Sequence, residues 1–260
     1  MKKLLVMFGL VYIFTLDAFG GEYSFRKYNH VKKFYSEITV QAIEISKKHH
    51  LPAAAILAIA GLESGYGSGY VSQITGNILS LGAFKQDREL PSLYLPYSKS
   101  KKKVLFDPKE IKRHSKDDLV YKQRPKSLKR DYRPKKYAGS ISNLELFKYN
   151  KELKQQAYNA CLNDFATRWI VDSSNIRVFR NARAYLDSLV KEKGKKTLFS
   201  KSTNKNFVDK IGGVANSFNY RETWPKKVKL IMNRTGLVQL TNDINFHNMS
   251  FDEAWDNKRL

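Results

Sequence analysis

The chain reads as a mostly helical domain, and three observations predict it. Residues 53–62 form an unbroken run of small and apolar side chains that leaves a helix no polar face. Several further stretches, 35–48, 150–169, 174–192, 204–219 and 223–233, carry helical spacing or composition. One long stretch, 85–137, breaks the pattern with prolines, tyrosines and clustered lysines.

Taken in order, Lys2-Lys3, the apolar run 4–14 and Ala18-Phe19-Gly20 read as a signal peptide over residues 1–20, cut near Gly21. That run is short for a membrane-spanning helix, so the expected location is periplasmic or secreted. Cys161 is the single cysteine; no internal disulfide can form, and the fold must rest on its core. Residues 35–48 read as an amphipathic helix with Ile38, Ala42, Ile43 and Ile45 facing inward, packed against the helix that follows. Pro52 introduces that helix, since a first turn tolerates its fixed φ. Later, Gly194 and Gly212-Gly213 mark breaks or a close packing contact, and Trp224-Pro225 opens a short basic helix. The expected organisation is one catalytic domain over 21–236 with a basic insertion at about 85–137. Residues 237–260 read as a tail with no assignable role.

The chemistry concentrates at the end of the apolar helix. Glu63 is its only ionisable residue, and Ser64-Gly65-Tyr66-Gly67 follows at once. A carboxyl there loses hydration and meets the negative end of the helix dipole. Both raise its pKa and suit it to general acid work. Glycosidic cleavage needs such an acid, because the leaving sugar oxygen departs poorly unless protonated. Ser64 reads as a turn hydroxyl, and Asn77 as local scaffolding that also touches substrate.

At these residues the chain resembles a family. Glu63-Ser64-Gly65-Tyr66-Gly67, Ser72-Gln73 and Gly76-Asn77-Ile78-Leu79-Ser80-Leu81 are similar to the signature of bacterial β-N-acetylglucosaminidases that hydrolyse peptidoglycan, glycoside hydrolase family 73, with its flagellar and Bax-like members. Phe218 to Val228 resembles a second segment of that family, with Tyr220 in the place of its active-site tyrosine. Tyr66 stands where the family has tryptophan, Ile78 replaces an asparagine, and residues 221–225 are one residue longer than the usual spacing. The resemblance implies an α+β, lysozyme-like fold whose small β-lobe, here the basic insertion, forms one wall of the cleft. It also implies Glu63 as general acid, with Tyr66, Asn77 and Tyr220 binding substrate.

A second carboxylate would stand roughly 6.5–9.5 Å from the acid in an inverting enzyme and about 5–5.5 Å in a retaining one. Glu89 is the first choice, with Asp87, Asp107 and Glu110 behind it, and assistance by the substrate's own N-acetyl group is the alternative. The five histidines show no metal-ligand spacing, and there is no phosphate-cradling glycine loop or nucleophile elbow. No metal and no cofactor are expected. The net charge of +23 calls for an anionic neighbour, and export points to the envelope surface and peptidoglycan glycan strands rather than specific nucleic acid. Lysines and arginines of the insertion, among them Lys126, Lys129 and Arg130, supply much of it. The expected protein is a monomeric endo-β-N-acetylglucosaminidase. Its rivals are a lytic transglycosylase and a non-catalytic cationic envelope-binding protein.

Overall fold

The computed structural model describes residues 23–123 and 132–257. The expected signal peptide and Lys126, Lys129 and Arg130 lie outside those residues. Helix α1 (Asn29–His49) leads through Leu51 and Pro52 into α2 (Ala53–Ser64) and the short α3 (Tyr70–Thr75). A lobe follows, made of β1 (Tyr94–Ser98), β2 (Lys103–Val104), α4 (Pro108–Lys112) and β3 (Leu119–Gln123). The chain returns through α5 (Leu146–Tyr149) and α6 (Lys151–Asp164), whose end widens into a π-helical turn, Phe165–Trp169. Helices α7 (Arg177–Lys193), α8 (Lys201–Ile211), α9 (Trp224–Thr235), α10 (Leu237–His247) and α11 (Phe251–Asp256) complete it. The architecture is mostly helical with one small antiparallel sheet, compatible with the expected α+β class.

The core forms around α2, as its composition dictates. Every residue from Ala53 to Gly61 is buried, and α1, α8, α9 and α10 pack around it. Such a helix has few routes to satisfy its free first-turn N–H groups. One is closed by the buried Asn204 of α8, whose Oδ1 accepts from the Ala55 N–H at 2.8 Å. On α1 the expected Ile38, Ala42, Ile43 and Ile45 are buried, joined by Val31, Phe34 and Tyr35, because the helix starts six residues earlier than its apolar pattern suggested.

Two boundaries are corrected. The helix expected over 204–219 is α8, which begins at Lys201 behind a Ser200 side-chain cap and stops at Ile211. Gly212 ends it, and 212–223 is an irregular loop. Residues 237–257 are not a tail. Leu237, Leu240, Ala254 and Trp255 are buried in the main core, and Ser250 and Glu253 close a reciprocal capping box on α11. Leu237, Leu240 and Ile244 share one face of α10, so the segment reads as alternation only if their three- and four-residue spacing is overlooked.

The insertion folds as a three-stranded antiparallel sheet in the order β2-β1-β3, with Tyr97 opposite Val104 on one side and Val120 on the other. Ile74, Leu93 and Leu95 make its own small core, and the Tyr94 N–H donates to the Gly139 carbonyl at 3.0 Å. Its far end is pinned by Asp118. That carboxylate accepts from Ser98 Oγ at 2.7 Å and contacts His114 Nδ1 at 2.5 Å. Those hydrogen bonds, with another from the Ser100 N–H, hold its pKa far below the usual carboxylate range. No helix among the described residues is long and apolar enough to cross a membrane.

Candidate active site

Glu63 is the next-to-last residue of α2, carried to the rim of the core by a helix held on every side. Gly65 then takes the left-handed conformation (φ 56°) that ends the helix, and its N–H and that of Tyr66 return to the Gly61 carbonyl. Ser64 Oγ donates to the Ala60 carbonyl at 2.6 Å and accepts from the Gly67 N–H at 2.8 Å, the turn role expected of it.

The carboxyl of Glu63 is half-buried and meets a side chain from 161 positions along the chain. Trp224 Nε1 donates to Glu63 Oε1 at 2.7 Å. Burial pushes the Glu63 pKa up, opposed in part by hydrogen bonds from Trp224 and Ser80 and by the nearby Arg221 charge. Trp224 is itself fixed. It is buried at the first turn of α9, packs 5.4 Å from the Phe218 ring, and lies against Gly212, where any Cβ would run into the indole. The double glycine therefore acts as both break and contact. Gly212 admits the indole, and Gly213 (φ 83°) turns the loop.

The opposite side of Glu63 is the turn after α3. Ser80 Oγ donates to the Glu63 carbonyl at 3.3 Å, and Ser80 is held at φ 49°. Asn77 holds that turn in place. Its Oδ1 accepts from the Leu81 N–H, and its Nδ2 donates to the Leu81 carbonyl, both at 2.9 Å, and to the Tyr132 carbonyl at 3.3 Å. The expectation that Asn77 also touches substrate is corrected, because its amide is buried and fully engaged by the backbone it braces. Two non-glycine residues with positive φ, Tyr66 and Ser80, thus lie close in chain or space to one carboxyl. Such strain persists only where the surroundings over-determine it.

Tyr66 is half-buried, its ring edge-on to His30, Phe34 and Tyr35 at 5.9–6.3 Å, and burial pushes its hydroxyl pKa up to about 12. It anchors the glycine turn against α1. Tyr220 is 69 % exposed on the loop before α9, with the Arg221 guanidinium 5.8 Å from its ring centroid. Glu89 is exposed on irregular backbone. The other three acids have structural partners. Asp87 pairs with Arg168, Asp107 caps α4, and Glu110 pairs with Lys101 and Lys103. Cys161 is buried with its thiol pushed up to about 12, an inert packed cysteine.

No protein-family model, curated protein or solved structure matches this chain. Trp224, Ser80 and Arg221 are the neighbours that sequence reasoning left without a role. The signal available for the first was Trp224-Pro225 at a helix start, where a large aromatic has a fixed direction.

Proposed function

We propose that the chain is an exported peptidoglycan hydrolase of lysozyme-like fold, an endo-β-N-acetylglucosaminidase with Glu63 as general acid. One observation carries the reading: a half-buried carboxyl of raised pKa at the end of a buried helix, held on one oxygen by an indole N–H. An indole only donates. In the acid form Oε1 is therefore the carbonyl oxygen and Oε2 carries the proton for the leaving sugar oxygen. Once that oxygen has departed, the same carboxylate can take a proton from attacking water.

Of the expected second carboxylates, Asp87 is paired with Arg168, Asp107 caps α4, Glu110 is paired with Lys101 and Lys103, and Glu89 is exposed on irregular backbone. That favours assistance by the substrate's own N-acetyl group over a protein base. Tyr220, exposed beside Arg221, offers a ring face for a sugar, and the β-lobe supplies the other wall.

The test is digestion of purified peptidoglycan by the full chain and by Glu63→Gln, with released ends reduced and identified by mass spectrometry. Reducing N-acetylglucosamine ends from the wild type alone support the proposal. Anhydromuramic ends would make it a lytic transglycosylase, and binding without any fragments a non-catalytic envelope protein.

A further inference from the structure

A second concavity lies where the segment leaving Ser80 crosses the end of α6. It is a cleft of about 210 Å³ between residues 87–90, residues 132–136, Asp164 at the end of α6 and Arg168 of the π-helical turn that follows. This is below the roughly 300 Å³ at which pockets for drug-sized ligands begin, so it suits a single small group. Four cations line it, Arg88, Arg133, Lys136 and Arg168, against two carboxylates, Asp87 and Asp164.

Both carboxylates are already committed. Asp87 accepts from Arg168 Nη2 with both oxygens, at 2.7 and 2.9 Å, and from the Phe84 N–H at 2.8 Å. Asp164 accepts from the Tyr132 hydroxyl at 2.8 Å and lies 3.8 Å from Arg168 Nη1. The Arg168 guanidinium is further fixed over the Phe84 and Trp169 rings, 4.9 and 5.3 Å from their centroids. It comes from the π-helical turn, a distortion that recurs at functional sites. Arg133 is buried beneath, donating to the Ala138 and Pro91 carbonyls, and so sets the floor. Arg88 and Lys136 differ. Both are exposed, and neither has an ion-pair or hydrogen-bond partner among the described residues. The cleft is an internally neutralised floor flanked by two exposed cations that have no partner among the described residues.

We propose that this cleft binds an anionic group, a carboxylate or a phosphate, carried by the polymer on which Glu63 acts. The identity of the polymer rests on the function proposed above, whereas the anion assignment does not. Residues 80–87 run from the hydroxyl beside Glu63 to the carboxylate that orients Arg168, so one short segment joins the two sites. A polymer lying across both would present its sugar backbone to Glu63 and a charged substituent to Arg88 and Lys136. In peptidoglycan the carboxylates of the peptide stems have this chemistry, and in attached wall polymers the phosphodiesters do.

The full chain is titrated, at fixed ionic strength, with inorganic phosphate and separately with N-acetylglutamate, a dicarboxylate. Binding is read from the arginine Nε–H signals by NMR. The comparison is with the Arg88→Ala/Lys136→Ala double variant, which removes exposed side chains only. Lys191→Ala/Lys195→Ala takes the same charge from the end of α7 and the turn after it, and controls for the general pull of a +23 chain. The expected result is saturable binding of at least one probe that shifts the Arg168 signal, weakened about tenfold in the first double variant and unchanged in the second. Tighter phosphate binding assigns the site to phosphodiesters, and tighter dicarboxylate binding to peptide carboxylates. No saturation by either probe, or equal weakening in both double variants, overturns the proposal. Because no turnover is measured, a protein that binds these probes but releases no peptidoglycan fragments would sink the hydrolase reading and leave the anion site standing.

Discussion

At the scale of single residues, the balance at Glu63 is between burial, which favours the protonated acid, and the Trp224 N–H, which favours the carboxylate. Removing the donor while keeping an aromatic ring tips it one way. Trp224→Phe is expected to raise the Glu63 pKa further, moving the alkaline limb of the cleavage profile upward, and a ¹³C titration of the carboxyl would show the same shift without any substrate. An unchanged titration would show that the 2.7 Å contact does not govern the acid. The same raised pKa has a consequence for stability. A carboxyl whose folded pKa exceeds its unfolded value keeps more protons in the folded state, so its contribution falls as pH rises from the ordinary glutamate value of 4.5 through the folded one. Glu63→Gln mimics the protonated acid. It is expected to leave stability nearly unchanged below that value and to raise the melting temperature at neutral pH while abolishing turnover, the exchange of stability for function common at active sites.

At the scale of elements, the site is the meeting of a helix end with a helix start; each was legible in the sequence, and their meeting was not. The composition of 53–62 announces a helix with no solvent face, so a lone Glu63 at its end followed by Gly65 and Gly67 stands out locally. Trp224 is brought to it only by the packing of α9 on α2, a contact that no local pattern encodes. Gly212 was visible as a break, but its reason, the indole lying against it, required the tertiary structure. Tyr220 was favoured for its place in a motif, whereas the side chain on Glu63 comes four residues later, from the first residue of α9. Gly212→Ala is expected to push Trp224 off its seat, destabilising the fold by about 1–3 kcal/mol, the range for overpacking a tight contact. If the site depends on that seat, the variant loses more activity at low temperature, where it remains folded, than its stability loss accounts for. Full activity in the folded variant would separate Trp224 from catalysis.

At the scale of the whole molecule, the described ends of the chain hold each other. Arg26 is buried, and burial lowers its pKa. Its guanidinium donates to the Thr235 and Gly236 carbonyls at the end of α9 and to those of Ala254, Trp255 and Asn257 at the end of α11, at 2.5–3.2 Å. A cation there meets the negative ends of two helices and satisfies carbonyls that neither helix can satisfy itself. It also stands over the rings of Tyr23 and Trp255, 4.5 and 5.3 Å from their centroids. Residues 23–26 therefore bind α10 and α11 into the same unit as the helix that carries Glu63, and the segment expected to be a tail belongs to the main core. Replacing Arg26 by alanine leaves those carbonyls without their donor. The expected cost is about 2–4 kcal/mol, or roughly 5–10 °C in melting temperature for a chain of this size. Ending the chain at Gly236 removes the buried Leu237, Leu240, Ala254 and Trp255 together and leaves Arg26 facing open core. That truncation is expected to yield no cooperative thermal transition. A truncated protein that melts cooperatively near the wild-type temperature would show that 237–257 is an appendage after all, and that the core around α2 closes without it.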